Sequence, residues 1–197
     1  VNEHFLLAGR RWKVEAIEFE TRRVIVAPAK GWKRPFFSGS GGDIHPRILE
    51  EMRQVLIKGE AHAYLDTQAQ NRLHQAREAF RFAHLDRESV IVSGQTILWF
   101  TWAGSAICEA LLLAAKADGI IAAWDGVALS YERISRSDFD HHRRSLSLPD
   151  LPARIAEQLT PRELFRDRFD HLVDHELLKS AFMNERLDLP SLARLSF

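Results

Sequence analysis

The sequence predicts an α+β fold. Three observations carry that prediction. Apolar and polar residues alternate near the N-terminus, the period-two pattern of half-buried strands. Farther on, apolar residues recur three and four positions apart, which is the helical period. Strand and helix signals also come in clusters rather than in strict succession, as α+β chains do. One domain is expected, with a β-rich basic part over residues 1–44 and an α+β part over residues 45–197.

Phe5, Leu6 and Leu7 read as a short strand that ends at Ala8 and Gly9. Residues 12–19 alternate as a second strand, and residues 20–22 turn the chain. Val24, Ile25 and Val26 return, and Pro28 is expected to stop the pairing because it has no N–H to donate. The three strands make an antiparallel meander. Pro46 suits a first helical position, where the missing N–H costs nothing. Ile48, Leu49, Met52, Val55 and Leu56 then share one helical face. Thr67 and Gln70 read as a capping box for a second helix, whose apolar face is Ala69, Leu73, Ala76, Phe80 and Ala83.

Residues 89–93 and 96–101 read as a hairpin around Gly94. Residues 106–117 are apolar nearly all round, so this helix should be buried and should end at Asp118 and Gly119 with a left-handed cap. Val127, Leu129 and Tyr131 alternate as a further strand. Thr160, Pro161 and Glu163 mark the start of a helical tail, with Leu164, Phe165, Phe169, Leu172 and Val173 as its apolar face.

Composition excludes several classes. The 27 Lys and Arg balance 27 Asp and Glu, so bulk charge announces neither nucleic acid nor membrane. A single Cys108 excludes an internal disulfide framework and suits a reducing, cytoplasmic setting. The longest apolar run, residues 110–115, is too short to cross a bilayer. No signal-peptide pattern opens the chain, and its first residue, Val1, suits a piece of a larger polypeptide.

The catalytic motifs are incomplete. Ser38, Gly39, Ser40, Gly41 and Gly42 form a flexible run, but no lysine follows them and Asp43 does. A Walker loop needs that lysine to meet phosphate charge. The chain is therefore expected neither to bind nor to hydrolyse ATP, because no loop pairs backbone amides with a phosphate lysine. His171 and His175 are four residues apart, so one helix face would carry both, and Asp138, Asp140, His141 and His142 form another polar cluster. No glutamate stands at the inner position that a His-Glu-x-x-His zinc site requires. Surface or capping histidines are the expectation. Cys108 falls inside the apolar helix and reads as packing. The sequence assigns no catalytic residue, no metal and no cofactor.

Charge distribution is more informative than total charge. Residues 10–47 hold nine Lys or Arg against four acids, a local net charge of +5. Within them, Lys30, Lys33 and Arg34 interleave with Trp32, Phe36 and Phe37. Cations that follow phosphates and rings that stack on bases are what single-stranded nucleic acid takes. Arg10 and Arg11 add to the same field. Arg10, Arg11, Lys30, Trp32, Lys33 and Arg34 are the candidate binding residues. Phe36 and Phe37 read equally as packing under the meander, and the charges also suit a solvated sheet face.

Several short motifs, in order, resemble one family. They are GRRWKV at 9–14, Pro28 with Ala29, the loop at 31–36, Glu51 with Met52 and Arg53, and Trp102, Ala103 and Gly104 before the apolar helix. The ending is similar too, from Phe169 and Asp170 through Glu176, Leu177 and Leu178 to RLDLP at 186–190. This order resembles the region after the motor and winged-helix domains of Lhr-type ("large helicase-related") superfamily-two DEAD/DEAH-box helicases. The resemblance implies a non-catalytic accessory domain that guides single-stranded DNA, or alternatively RNA, beside motor and winged-helix domains supplied in cis or in trans. The motor motifs themselves are absent from this sequence. The competing expectation is a protein-interaction module that docks onto a separate motor subunit without touching nucleic acid.

Overall fold

The computed structural model describes residues 4–7, 10–18, 21, 23–29, 42–165 and 167–195. It is α+β, and the chain divides into two compact units, residues 1–42 and 43–197.

The first unit is the meander. Strands β1 (His4–Leu7), β2 (Arg10–Glu18) and β3 (Arg23–Pro28) pair antiparallel in the order β1-β2-β3. The β2–β3 register shifts between Val14, which faces Val26, and Ala16, which faces Ile25. This bulge explains a slip in the sequence, where apolar positions run 12, 14, 16 and then 17, 19. Pairing ends at Pro28, the last matched residue of β3, which lies opposite Trp12. β3 is an edge strand, where a missing N–H can be spared.

The second unit begins with α1 (Pro46–Ile57) and α2 (Thr67–Phe82). His45 caps α1, its Nδ1 accepting from the Arg47 N–H at 3.2 Å. The capping box expected at Thr67 does not form. Asp66 is the cap, with Oδ1 accepting from the Ala69 N–H at 2.7 Å. An ionised carboxylate satisfies those free amides better than a hydroxyl one residue later. Gln70 instead donates to the Leu65 carbonyl at 3.0 Å. Arg77 is buried on α2 and donates to the carbonyls of Val55 and Glu60, at 3.0 and 2.9 Å. It closes the otherwise open C-terminal end of α1.

Four strands follow: β4 (Val90–Ser93), β5 (Thr96–Trp99), β6 (Ile121–Trp124) and β7 (Leu129–Glu132). They form an antiparallel sheet in the order β4-β5-β7-β6. Gly94 turns the β4–β5 hairpin at φ +61°. Helix α3 (Ser105–Ala117) links β5 to β6, while β7 returns between them. Ile97 and Trp99 pair with Tyr131 and Leu129, and all four are buried. Cys108, Ala110, Leu111, Ala114 and Ala115 of α3 are also sealed from solvent. Small residues let this helix approach the core closely. Asp118 and Gly119, the latter at φ +71°, end it as expected.

Helices α4 (Arg136–Ser145), α5 (Leu151–Glu157), α6 (Pro161–Leu164), α7 (His175–Arg186) and α8 (Leu189–Leu192) complete the unit. The continuous tail helix expected after Thr160 is broken. α6 ends at Leu164, and a short 3-10 turn, Asp170–Leu172, precedes α7. The apolar face expected there is largely exposed, at Phe165, Phe169, Leu172 and Val173. Among the described residues, no helix is long and apolar enough to cross a membrane.

Candidate functional site

The backbone fixes two of the six expected binding residues. Arg10 and Arg11 open β2, opposite Leu7 and Leu6 of β1. The next residue of β2, Trp12, is matched with Pro28, the last residue of β3. The start of β2 and the end of β3 therefore lie at one end of the sheet. Lys30, Trp32, Lys33 and Arg34 lie outside the described residues, as does the 38–41 part of the glycine run. At the other end of the sheet Ile17 pairs with Val24 and Ala16 with Ile25, and Ile17, Val24 and Ile25 are all exposed.

The expected histidine pair does not share a helix. His171 is in the 3-10 turn, and His175 is the first residue of α7. Asp174 between them caps α7, accepting from the N–H groups of Glu176 and Leu177. No group of three His, Cys, Asp or Glu is placed to hold a metal ion among the described residues.

The second polar cluster separates in the same way. Asp138 receives the Ser135 hydroxyl at 2.6 Å, and Asp140 pairs with Arg136 at 3.0 Å. His142 is buried, and its Nδ1 meets Asp118 Oδ2 at 2.6 Å. Arg154 binds the other oxygen of Asp118. Asp118 thus ties the end of α3 to α4 and α5. Burial tends to raise the Asp118 carboxyl, but hydrogen bonding and charge from His142 and Arg154 outweigh it and hold the group low. Burial dominates for His142 and pushes it below its usual 6.5 despite the adjacent carboxylate. The imidazole is therefore neutral at pH 7, with Nδ1–H donating to Asp118. Ser145 donates to Asp118 at 3.2 Å and to the His142 carbonyl at 2.8 Å, not to the imidazole. These bonds make the cluster a clasp between the helices. Cys108 is inert, since burial raises its thiol to about 11.

The structure also forms a basic–aromatic cavity that the sequence reading missed. It measures about 370 Å³ and lies entirely within residues 43–197. Arg53 of α1, Arg87 after α2, Arg143 of α4 and Arg194 after α8 line it, with Phe100 and Trp102 from the segment following β5. These residues span more than 140 positions, so no window of sequence holds them together. The one partial signal was Trp102, Ala103 and Gly104. Trp102 has φ +54°, a left-handed conformation that a bulky side chain rarely adopts. Arg143 stacks over the Trp99 ring at 5.2 Å, and burial lowers its pKa.

No protein-family model, curated protein or solved structure matches this chain.

Proposed function

We propose that this chain is a non-catalytic, nucleic-acid-handling accessory domain of a cytoplasmic, ATP-dependent, Lhr-like DNA helicase. In this reading it guides single-stranded DNA beside motor and winged-helix domains. The observation that supports it most is the β2–β3 register. Arg10 and Arg11 share one end of the sheet with Pro28. The cation- and ring-bearing stretch that holds Lys30, Trp32, Lys33 and Arg34 begins two residues after Pro28. A backbone contact that neutralises phosphates releases counterions, so affinity should fall with salt at a slope of roughly −0.7 per phosphate on a single strand. Loss of one stacked ring should cost on the order of 1–3 kcal/mol.

The test is fluorescence anisotropy with a labelled oligonucleotide across a salt series. Lys33→Ala with Arg34→Ala should flatten the salt slope, and Trp32→Ala should weaken binding at every salt concentration. If these variants bind like the parent, the stretch is a connector. A second reading, docking onto a separate motor subunit, then takes over. The exposed Ile17, Val24 and Ile25 favour that second reading, because apolar side chains on a small sheet are the material of a protein interface.

A further inference from the structure

The cavity of the second unit has no part in that reading, and its chemistry points to a ligand of its own. We propose that it binds a nucleoside phosphate, with the phosphate held by arginine forks and the base laid against Trp102 and Phe100.

Charge argues for the phosphate. Four arginines line the cavity, and Glu88 is the single carboxylate among them. The Nε of Arg53 is buried and has no hydrogen-bond partner. Neither Arg53 nor Arg194 is paired with a carboxylate among the described residues. Arg87 meets its own neighbour, Asp86, at 3.5 Å and no other carboxylate among the described residues, and its side chain is well exposed. A buried donor with no acceptor is costly, and an anion is the acceptor that removes the cost. Planar guanidinium groups match phosphate oxygens in pairs, which an ammonium does not.

Ring geometry argues for the base. Phe100 and Trp102 are half-buried, and their ring centroids lie 5.9 Å apart. Phe80 braces Trp102 from within at 6.0 Å. The left-handed backbone at Trp102 is unfavourable in isolation, and such strain persists where surrounding structure over-determines it, around ligand clamps among other places. Size limits the ligand. At about 370 Å³ the cavity is near the small end of ligand pockets and suits one nucleotide rather than a length of polymer.

The shared chemistry has two sources, a free mononucleotide and the phosphorylated end of a strand. Calorimetry on the full chain would use adenosine 5′-monophosphate, adenosine, inorganic phosphate and phosphotyrosine. Anisotropy would compare one oligonucleotide with and without a 5′-phosphate. One-to-one binding of the monophosphate is expected, with adenosine and phosphate each weaker by on the order of tenfold or more. Arg194→Ala, at an exposed position outside the core, should weaken the monophosphate by on the order of tenfold. Preference for the phosphorylated strand marks a strand terminus, and preference for the free monophosphate marks a metabolite; either supports the site. Phosphate binding as tightly as the monophosphate would mean an adventitious ion only and overturn the proposal. So would tighter binding of phosphotyrosine, no binding of either nucleotide form at millimolar concentration, or unchanged affinity in both Arg194→Ala and Arg87→Ala. Trp32→Ala should leave monophosphate affinity untouched, so failure here and failure of the meander reading are separable.

Discussion

His142 sits on α4 with its imidazole sealed between the Tyr131 ring, 5.6 Å away by centroids, and the Asp118 carboxylate. Its Nε2 is buried without a partner. Protonation would put an unmatched N–H into the core, which is why burial lowers its pKa although a carboxylate is adjacent. The unfolded chain takes up this proton near the usual 6.5, and the folded chain does so only at lower pH. Between those values the unfolded state holds more protons, so stability is present above about pH 6.5 and is lost as pH falls. Asp118 acts with the same sign at lower pH. Its folded value lies below its usual 3.8, so its contribution is lost as pH falls through that range. The expected result is a melting temperature that drops from pH 7 to pH 5. His142→Asn, which can still donate to Asp118, should be less stable at pH 7 but flatter across that interval. An equally steep fall in the variant would assign the acid sensitivity to other groups.

Packing between elements is most demanding where α1 and α3 begin. Gly104 caps α3, and the Ser105 N–H donates to the Ile44 carbonyl at 3.0 Å. The Ile44 N–H donates in return to the Ser105 hydroxyl at 2.7 Å. This pair of hydrogen bonds draws the two segments so close that a Cβ on Gly104 would stand 2.6 Å from the Ile44 carbonyl oxygen. Its φ of −76° is ordinary, so the requirement for glycine is one of space and not of backbone freedom. Gly104→Ala should cost about 1–3 kcal/mol in urea unfolding, the usual effect of forcing atoms into a packed contact. Gly59→Ala, where nothing lies near the added methyl, is the control. Equal stabilities for the two variants would show that the α1–α3 junction yields.

At the scale of the molecule, the larger unit carries a complete core. Among the described residues, its buried cluster runs from Val90 to Leu192 and takes none from 1–42. Ile97, Leu111, Tyr131, Phe139, Ile155 and Leu192 come from the sheet and four of its helices. A core that closes on itself supports independent folding. Residues 43–197 alone should therefore unfold cooperatively, with a melting temperature within about 5 °C of the full chain. A fragment with no cooperative transition would show that the meander is needed to complete the second unit.

Local sequence determined the α+β class, the three-stranded meander, the Gly94 hairpin, the buried α3 and its cap at Asp118 and Gly119. Each rests on contacts between near neighbours, such as alternation along a strand, apolar spacing along a helix, or a backbone turn that favours glycine. Strand β6 was not visible, because Ile121–Trp124 has two alanines and alternates at an edge, with only half its residues covered. The tail reads as helical in the sequence since Phe165, Phe169 and Leu172 keep helical spacing, but those side chains are exposed. That Asp66 rather than Thr67 caps α2 is a local choice between two adjacent side chains, made by a bond three residues long; tertiary structure alone decided that His171 and His175 part company. It also decided the two constellations that carry charge inward. Asp118, His142 and Arg154 meet across three helices, and Arg53, Trp102, Arg143 and Arg194 meet around one cavity. Periodicity reports which face of an element is covered. It carries no record of which distant face does the covering, and that is where both clusters arise.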